Sequence, residues 1–478
     1  MADKKTFYIT SPIFYPNANP HMGHAYTTLL CDILARYHRL SGHDTYFLTG
    51  TDEHTEKVIQ AAKEHGQEPE KYLETIVARF KDLYASLDIS YNQFIRTSDK
   101  IVHWPGAIEM WNRLTAAGDI YKGEYVGLYC VGCEAFLTEK ELVNGMCPDH
   151  NKVPERVIEE NYFFRLSKYA SKLEQIILSD TIRILSPVRK NEILSFIKSG
   201  LNDVSFSRPK EKMSWGIPVP GDSSQTMYIW VDALSNYITA LGFGRGETNM
   251  RFWPGMHVIG KDILRFHAIY WPAMLLSAKL ALPHTILVHG LITSGGRKMS
   301  KTMGNVIDPV AIVREYGTDA LRYYLARHIH PFEDSDFTIE KFKEAYNANL
   351  ANGLGNLVAR VMQMAVTYIQ GSVEMTQETQ PDTDVGAHIE AFEFNRAMDG
   401  IWERIGHDDA LIAIKKPFLG AKSDDVRVRN EALSIIKKLV RELHAIAIEL
   451  EPFMPQTAEK IKKAIQENKI SEPLFPRK

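Results

Sequence analysis

The chain of 478 residues contains little cysteine and no strong excess of charge of either sign. Four cysteines are too few for the disulfide scaffold of a secreted protein of this size. A net charge of −3 excludes a uniformly basic nucleic-acid coat but allows a local basic track. No apolar run reaches the roughly 18 residues of a membrane span, and "MADKKTFYIT" leads into a strand-like segment without a signal-peptide apolar region. These absences indicate a cytoplasmic enzyme.

Strand-like and helix-like segments alternate in the first part of the chain. "KTFYITSPI" predicts a strand that ends at Pro12, and helical stretches are expected from about residue 55 to 86. Between them, one amphipathic helix face is formed by Tyr26, Leu29, Leu30, Ile33, Leu34 and Tyr37. This alternation favours an α/β fold with a Rossmann-like, doubly wound parallel sheet. Ligands of such sheets bind beyond the strand ends, so segments 11–24 and 49–54 and the segment after His289 are expected to converge.

The strand and helix alternation breaks at about residue 118, resumes at about 228 and gives way to long helical stretches after about 344. The middle part therefore reads as an insertion in the sheet domain, and the end reads as a helical bundle. The predicted segments are 1–117 and 228–290 for the two halves of the sheet domain, 118–227 for the insertion, 291–345 for a connecting region and 346–478 for the bundle.

The stretch "HMGH" places two histidines around a glycine where a proline-rich loop passes into the predicted helix. His21 and His24 are three residues apart, so they lie on one face of the helix start. Gly23 lets a flat ligand approach the backbone, and a helix N-terminus attracts anions. The pattern suits a nucleotide triphosphate. The alternative is a histidine pair that only caps and packs the helix.

A second candidate for phosphate binding is "GGRKMSKTMGN", residues 295–305. Two glycines precede Lys298 and Lys301, while Ser300 and Thr302 add hydroxyl groups. A glycine-hinged loop with two ammonium groups can hold the charge that develops on a polyphosphate in a transition state. An exposed basic loop is the alternative.

Three of the four cysteines fall within 18 residues, and a histidine follows them. Cys130 and Cys133 are separated by two residues, as are Cys147 and His150, with thirteen residues between the two pairs. Three thiolates and an imidazole in this spacing suit a tetrahedral zinc ion. With all four positions filled, the site should be structural. The alternative is a set of structural cysteines beside an unrelated histidine. Cys31, on the apolar helix, is expected to be a small core residue.

Taken together, HMGH and KMSKT resemble the HIGH and KMSKS signature of the class I aminoacyl-tRNA synthetases, from which they depart only at Met22 and Thr302. Five segments match the methionyl-tRNA synthetases of that class in order: "SPIFYPNANPHMGHAYT", "TGTDEHTEKV", "YIWVDALSNYI", "HVIGKDILRFHAIYWPAML" and "LVHGLITSGGRKMSKTMGNVI". The resemblance implies a ligase that forms methionyl-adenylate from methionine and ATP and transfers the methionyl group to tRNA. It also implies that residues 291–345 hold the KMSKS loop and tRNA-stem contacts, and that 346–478 bind the anticodon.

On this resemblance the methionine site comprises Ile13, Tyr15, Asp52, Trp230, Leu234, Tyr237, Ile263 and His267. Asp52 would pair with the α-ammonium group, and the other residues would surround the side chain. A flexible, polarisable thioether is well held by aromatic and aliphatic groups. For Trp230 and Tyr237 taken alone, ordinary core packing is the alternative.

The resemblance also implies a site for ATP with Mg²⁺ on its phosphates, formed by His21, Gly23, His24, Lys261, Asp262, Lys298, Ser300 and Lys301. The histidines and the lysines of the KMSKT loop would stabilise phosphate charge by positioning and electrostatics. Arg208 matches a family arginine near the reacting groups, with a structural ion pair as the alternative. The family carries zinc knuckles in its inserted domain, mostly with four cysteines, so His150 is the less usual ligand.

Asn356 and Arg360 match family positions that contact the methionine anticodon, and Phe418 stands where the family usually has a tryptophan. Directed hydrogen bonds to unstacked bases are the usual route to RNA specificity, and phenylalanine can still stack on a base. A solvated helix face is the alternative. The expected partners are methionine, ATP and tRNA(Met), including the initiator. Because no appended dimerising domain follows the bundle, a monomer is expected.

Three rival functions fit the sequence less well. Synthetases for leucine, isoleucine or valine carry a much larger editing domain than the 110 residues of segment 118–227. A nucleotidyltransferase with an HxGH element would not need the C-terminal helical bundle. A non-catalytic tRNA-binding relative is disfavoured because both histidines and both lysines of the two motifs are present.

Replacing Lys298 with alanine is expected to slow adenylate formation by orders of magnitude, because an ammonium group that stabilises developing phosphate charge is lost. The affinity for methionine should stay nearly intact. ATP–pyrophosphate exchange measures the rate, and an unchanged rate in the Lys298→Ala variant would contradict the assignment.

Overall fold

A computed structural model describes residues 4–132, 135–137, 139–148, 151–246, 248–299, 305–375, 383–470 and 472–478. In that part of the chain, no helix is long and apolar enough to cross a membrane. The chain forms two compact units. The first comprises Met1–Pro20, Gly42–Asp82 and Tyr91–His289, and the second comprises His21–Ser41, Leu83–Ser90 and Gly290–Lys478.

The strands β1 to β13 lie in the first unit and β14 to β16 in the second. Their bounds are β1 Thr6–Phe14, β2 Asp44–Thr51, β3 Gln93–Arg96, β4 Ile120–Cys130, β5 Ala135–Leu137, β6 Glu155–Phe164, β7 Arg183–Leu185, β8 Val204–Ser205, β9 Ser207–Pro209, β10 Pro218–Val219, β11 Asp222–Met227, β12 Met256–Gly260, β13 Thr285–His289, β14 Ile292–Ser294, β15 Arg297–Lys298 and β16 Ser335–Asp336.

The helices are distributed from Met22 to Glu467. Their bounds are α1 Met22–Leu40, α2 Glu56–Glu64, α3 Pro69–Ser86, α4 Trp104–Ala116, α5 Ala170–Leu178, α6 Pro187–Lys198, α7 Ile229–Thr239, α8 Trp271–Ser277, α9 Pro309–Tyr316, α10 Thr318–His328, α11 Ile339–Ala345, α12 Gly355–Tyr368, α13 Thr383–Glu390, α14 Phe394–Lys415, α15 Pro417–Gly420, α16 Val426–Leu450 and α17 Pro455–Glu467.

The first unit is built on a six-stranded sheet with the strand order β3-β2-β1-β12-β13-β7. Each pair of neighbours in this sheet is parallel, which confirms the predicted α/β fold with a parallel sheet. From β1 the chain adds β2 and β3 on one side, whereas β12 and β13 lie on the other side. The order therefore reverses between β1 and β12, the point at which such sheets bind ligands beyond the strand ends.

Strand β1 continues beyond a proline, which the sequence analysis did not expect. Its register against β2 shifts around Pro12, because proline has no N–H to donate to the ladder. The hydroxyl of the preceding Ser11 lies 2.8 Å from Thr49 Oγ1 on β2 and joins the two strands there. The strand ends at Phe14 rather than at Pro12, so the predicted end is wrong.

The helical stretches predicted from residue 55 to 86 are two helices, α2 and α3. Between them, Gly66 has a φ of +62°, a left-handed conformation that ends helices and favours glycine. Pro69 then opens α3, where its missing N–H costs nothing because the first helical turn has no internal acceptor.

The region predicted as an insertion forms two small sheets, in the orders β5-β4-β6-β8 and β10-β11-β9. Their strand pairs are antiparallel, which explains why the βα alternation breaks there. Strand β7 is different, because it pairs in parallel with β13 at the edge of the main sheet. It is only three residues long, too short to carry a periodic signal, so its return to the main sheet was not predicted.

One buried arginine joins distant segments of the second unit. Arg322 on α10 is fully buried, and its Nη1 lies 2.7 Å from Asp32 Oδ2 on α1. The guanidinium also donates to the carbonyl oxygens of Leu87, Pro452 and Phe453 over 2.7–2.9 Å. Although burial alone would raise it, the charge of Arg322 holds the pKa of the Asp32 carboxyl below its usual range. Helix α1, which begins with the HMGH motif, is thereby fixed to the helices of this unit.

Candidate active site

Three loops of the first unit follow neighbouring parallel strands at the carboxyl edge of the main sheet. Tyr15 follows β1, Asp52 follows β2, and the turn Lys261–Ile263 follows β12. The backbone N–H of Asp52 donates to the carbonyl oxygen of Phe14 over 2.9 Å, so the first two loops are joined. The structure therefore brings together the parts of the predicted ligand-binding edge that lie in this unit.

Helix α7 presents an aromatic and aliphatic face to this region. Trp230, Leu234 and Tyr237 are four and three residues apart, which places them on one face of the helix. All three are buried, at 7%, 2% and 1% exposure. Ile13 and Tyr15 pack against the same hydrophobic core. We call Trp230, Leu234 and Tyr237 the α7 wall.

A chain of hydrogen bonds fixes His267 against this wall. Its Nδ1 lies 2.9 Å from the carbonyl oxygen of Ile263, which can only accept, so Nδ1 carries the proton. Its Nε2 lies 2.6 Å from the Tyr237 hydroxyl and accepts the hydrogen of that group. Burial lowers the pKa of His267 to about 4, so the imidazole is uncharged at neutral pH.

Phe266 contacts the α7 wall but was not among the residues predicted from the sequence. Its ring stacks on Trp230 with centroids 3.5 Å apart and planes inclined by 7°. It opens a single π-helical turn, Phe266–Tyr270, that also carries His267. Such turns re-aim side chains because they hold one more residue than an α-helical turn. The only sequence signal for Phe266 is the aromatic run "RFHAIYW".

Lys261 and Asp262 form the turn directly after β12, at the reversal of strand order. The strand ends at Gly260, where a Cβ would lie 2.7 Å from Asp262 Oδ1. The Asp262 carboxylate therefore folds back over the strand end, into space that only a glycine leaves open. The Asp262 side chain is exposed at this edge, so it is accessible to a polar ligand.

Arg208 on β9 is buried between two glutamates. Its Nη1 lies 2.7 Å from Glu56 Oε1, and its Nη2 lies 3.0 Å from Glu159 Oε1. The guanidinium carbon is also 4.2 Å from the centroid of the Tyr129 ring. These contacts are those of a structural ion pair, the alternative that the sequence leaves open beside a catalytic role.

Two of the four predicted zinc ligands, Cys130 and Cys147, lie in the described part of the chain. They are buried, at 3% and 0% exposure, and the backbone N–H of Asn151 donates to the carbonyl oxygen of Cys147 over 2.8 Å. Cys133 and His150 lie outside the described residues. Among the described residues, no group of three or more histidine, cysteine or acidic side chains is placed to hold a metal ion, so the zinc site stays a prediction.

In the second unit, the two histidines of HMGH cap the N-terminus of α1. His21 Nδ1 accepts from the backbone N–H of Gly23, and His24 Nδ1 accepts from that of His21, each over 3.0 Å. Because both Nδ1 atoms accept, each neutral ring carries its proton on Nε2. Burial and the neighbouring His21 hold the pKa of His24 well below its usual value. Two imidazole N–H donors therefore lie at a helix start that itself favours anions.

Gly23 has a role in the cap that the sequence analysis did not foresee. A Cβ at this position would lie 2.9 Å from Cε1 and 3.1 Å from Nδ1 of His21. The absence of a side chain therefore makes room for the capping ring of His21, whether or not it also admits a ligand. Cap and ligand site are compatible interpretations of the same motif.

The loop of the second motif begins as a two-stranded hairpin, β14 to β15. It turns at Gly295 and Gly296, whose φ angles of +62° and +71° require glycine or a similarly permissive residue. The backbone of Lys298 pairs within this hairpin. Its side chain, together with Ser300 and Lys301, lies outside the described residues, so the predicted phosphate contacts stay predictions.

The candidate anticodon residues lie on α12 and α15. Asn356 is exposed and lines a cleft of about 540 Å³. One turn later, Arg360 Nη1 lies 2.9 Å from Asp409 Oδ1 on α14. Phe418 is 38% exposed, and its carbonyl oxygen accepts from the hydroxyl of Tyr368, at the end of α12, over 3.4 Å. The two helices that carry the predicted residues are thus in contact.

A buried polar cluster in the first unit was not predicted. The carboxylate of Asp232 on α7 lies 2.6 Å from His54 Nδ1 and 2.6 Å from His103 Nε2. All three side chains are buried, at 2% exposure or less. The available signal is an acidic residue within the apolar run "YIWVDAL", because a carboxylate on a buried helix needs polar partners.

Comparison with known families gives a match over most of the chain. A family model described as "tRNA synthetases class I (M)" matches residues 7–156 and 150–362. The methionine–tRNA ligase of Clostridium perfringens is 43% identical over 474 residues, which cover 96% of this chain and 73% of the relative. That of Enterococcus faecalis is 42% identical over 489 residues, which cover 96% of this chain and 72% of the relative.

Solved structures give the same result. A Mycobacterium tuberculosis methionyl-tRNA synthetase in complex with methionyl-adenylate is 35% identical, with a TM-score of 0.90 over 99% of this chain and 100% of that one. The apo form of the Mycobacterium tuberculosis enzyme is 33% identical, with a TM-score of 0.85 over 100% of this chain and 99% of that one.

Replacing Tyr237 with phenylalanine should destabilise the protein by about 1–3 kcal/mol, because the buried Nε2 of His267 loses the hydroxyl that donates to it and cannot reach water. Tyr46→Phe is the matched control, since the Tyr46 hydroxyl donates to the partly exposed Gln93 over 2.7 Å. Thermal unfolding of both variants measures the difference. Equal melting temperatures would contradict the buried hydrogen bond.

Proposed function

The chain belongs to the methionyl-tRNA synthetase family of class I, and from this membership we propose which of its residues carry the reaction. It is a methionine–tRNA ligase, which activates methionine with ATP to methionyl-adenylate and transfers the methionyl group to the 3′ end of a tRNA. One observation carries the residue assignment: the α7 wall and the neutral His267 lie together in the unit whose parallel sheet reverses its strand order.

In the proposed complex the methionine side chain lies against the α7 wall, with Ile13, Tyr15, Ile263 and His267 completing its surroundings. An uncharged imidazole suits this environment, because an imidazolium beside a thioether would have to be desolvated without a counter-ion. Among the described residues, the buried indole N–H of Trp230 has no hydrogen-bond acceptor. A buried donor of this kind calls for an explanation, and a bound substrate supplies one.

The α-ammonium group of methionine is assigned to Asp52. Its carboxylate is buried at 2% exposure and directly follows β2 at the carboxyl edge of the sheet. A charge-assisted hydrogen bond between ammonium and carboxylate is among the strongest available to an amino-acid substrate. This pairing leaves the substrate carboxylate to react.

In the first step, a carboxylate oxygen of methionine attacks the α-phosphorus of ATP, and pyrophosphate leaves with the electrons of the broken P–O bond. We assign the Nε2–H groups of His21 and His24 to the phosphate oxygens, with Gly23 between them. Lys298, Ser300 and Lys301 take up the charge that develops on the leaving pyrophosphate. Mg²⁺ bound to the phosphates would supply a counter-charge, and no protein ligand is assigned to it.

Lys261 and Asp262 are assigned to the ribose and phosphates of ATP, in keeping with their position after β12. Arg208 is kept as a catalytic candidate on one condition, that its ion pair with the less buried Glu56 opens. Glu159, whose side chain is 4% exposed, would remain as its buried partner.

In the second step, a hydroxyl of the 3′-terminal ribose attacks the acyl carbon of methionyl-adenylate, and AMP leaves. We propose tRNA(Met), including the initiator, as the acceptor. Asn356 and Arg360 are assigned to hydrogen bonds with anticodon bases and Phe418 to stacking. Since Arg360 is paired with Asp409, one of its terminal nitrogens is already engaged and the guanidinium is oriented before RNA binds. The proposed enzyme acts in the cytoplasm.

A structural zinc ion is proposed for Cys130, Cys133, Cys147 and His150 in the inserted domain. Burial of both described cysteines fits thiolates that face a common ion rather than solvent. When bound, zinc would crosslink the chain segments that carry the four residues.

Methionine-dependent ATP–pyrophosphate exchange tests the activity. With each proteinogenic amino acid in turn, exchange is expected with methionine at least about a hundredfold above the others, because the apolar surroundings fit its thioether. Charging of tRNA(Met) with methionine should follow. Exchange that does not respond to methionine, or exchange without tRNA charging, would contradict the proposal.

Metal analysis of the purified protein tests the zinc site. About one zinc ion per chain is expected, and Cys147→Ser should lose it and unfold at a lower temperature. Cys31→Ser is the matched control, because Cys31 is equally buried but lies on α1 in the second unit. A wild-type protein that purifies without zinc, or a Cys147→Ser variant that keeps it, would refute the assignment.

A further inference from the structure

The buried cluster of Asp232, His54 and His103 joins three elements of the first unit. Asp232 lies in the first turn of α7, His103 is the N-cap residue of α4, and His54 lies in the loop after β2. Each oxygen of the Asp232 carboxylate is 2.6 Å from one imidazole nitrogen. His103 Nδ1 also lies 2.8 Å from Thr239 Oγ1, so that α7 is held to the start of α4 at both of its ends.

The cluster is closed to solvent, and the negative charge of Asp232 is stabilised by its contacts with the two imidazoles. The rings of Trp104 and Trp215 flank His54, with centroids 5.9 and 6.1 Å away. Burial alone would raise the pKa of the Asp232 carboxyl, but the two histidines outweigh it and hold that pKa at about 2. A buried carboxylate that loses one of its partners is strongly destabilised, so the distances within this cluster are tightly constrained.

Asp232 lies on the reverse side of the helix that carries the α7 wall. It is two residues after Trp230 and two before Leu234, which is about 200° around an α-helix. One face of α7 therefore borders the proposed methionine site, while the opposite face is anchored by a charge. The position of the wall depends on that anchor, because helices rotate and slide as rigid elements.

His54, one of the two histidine partners of Asp232, is two residues from Asp52 in the same loop. The residue between them is fixed as well. Glu53 Oε1 lies 2.7 Å from Arg96 Nε, and its backbone N–H donates to Thr97 Oγ1 over 2.8 Å. The two residues that follow Asp52 are therefore both held in place, Glu53 by contacts at the end of β3 and His54 by Asp232 on α7.

We propose that Asp232 is a positioning residue for methionine selection, which rests on the function proposed above. By holding His54 and His103 on its two oxygens, it sets the distance between the loop of Asp52, which binds the α-ammonium group, and the α7 wall, which binds the side chain. An amino acid of the right length bridges the two sites. Asp232 itself does not touch the substrate.

The Asp232→Asn variant tests the proposal. The amide keeps the shape of the carboxylate but offers one acceptor and one donor group, so it cannot accept from both imidazoles. The KM for methionine in ATP–pyrophosphate exchange should rise about tenfold or more, because a small misplacement of the two subsites breaks their simultaneous engagement. The KM for ATP should stay within about twofold. A rise that is confined to one substrate distinguishes positioning from general loss of stability.

A substrate analogue shows whether the spacing of the two subsites is what changes. 4-(Methylthio)butanoate is methionine without its α-amino group, so of the two subsites it engages only the one for the side chain. Its inhibition constant in Asp232→Asn should stay within about twofold of the wild-type value. An affinity for this analogue that falls as far as that for methionine would overturn the proposal, since the wall itself would then be disrupted.

Asp119→Asn is the matched control. Asp119 is an equally buried carboxylate of the same unit, which accepts from Lys168 Nζ over 2.6 Å and from Ser277 Oγ over 2.7 Å. This variant should lose comparable stability and keep the KM for methionine within about twofold. A KM that rises equally in both variants, or in neither, would overturn the proposal.

His54→Gln is the second variant, for the case that Asp232→Asn does not fold. It removes the link to the Asp52 loop and leaves the pair of Asp232 and His103 intact, so the same selective rise in the KM for methionine is expected. An unchanged KM in folded His54→Gln would equally refute the role. The wild-type enzyme distinguishes the proposed function from the proposed role of Asp232. If wild type shows no methionine-dependent exchange, the function itself is refuted.

Discussion

The first unit depends on one constraint, the need of buried backbone N–H and C=O groups for hydrogen-bond partners. Six strands satisfy it by pairing in parallel, and parallel pairing sends all their carboxyl ends to one edge. Tyr15, Asp52 and Lys261 follow three different strands, yet they reach that edge because the strands run in the same direction. The chemistry of the unit is therefore placed by its backbone before any side chain contributes. Side chains then refine the arrangement through buried polar contacts, among them those of Tyr237 and Asp232.

The second unit depends in a comparable way on the buried guanidinium of Arg322. A charge taken out of water must be fully hydrogen-bonded, and the partners of Arg322 come from α1, from Leu87 and from the turn that joins α16 to α17. The ion pair with Asp32 places the helix that begins with HMGH in the same compact body as the helices that carry Asn356 and Arg360. Two motifs with separate expected roles, phosphate and anticodon binding, thus share one structural support.

Periodicity predicted the parallel sheet and the helical C-terminal part. Family resemblance predicted that Trp230, Leu234 and Tyr237 act together; they share one buried face of α7, and their role in methionine binding stays a prediction. The predictions failed where a local exception outweighed the pattern. Pro12 reads as the end of a strand, but a register shift lets β1 continue to Phe14. Strand β7 is too short to give an alternating signal. The cluster of Asp232, His54 and His103 was not predicted, because it depends on contacts between residues that are far apart in the sequence. Asp232 is 178 positions from His54 and 129 positions from His103, and no local sequence pattern indicates such a contact.

The histidine cap of α1 makes the start of this helix sensitive to low pH. The Nδ1 atoms of His21 and His24 both accept hydrogen bonds from backbone N–H groups. A proton added to Nδ1 would turn this acceptor into a donor, break the hydrogen bond and release the first turn of the helix. The depressed pKa of His24 delays that event. Fraying of the helix and loss of the groups proposed to bind phosphate would then be a single transition. On that proposed assignment, the lower pH limit of activity would be set by the folding of one helical turn.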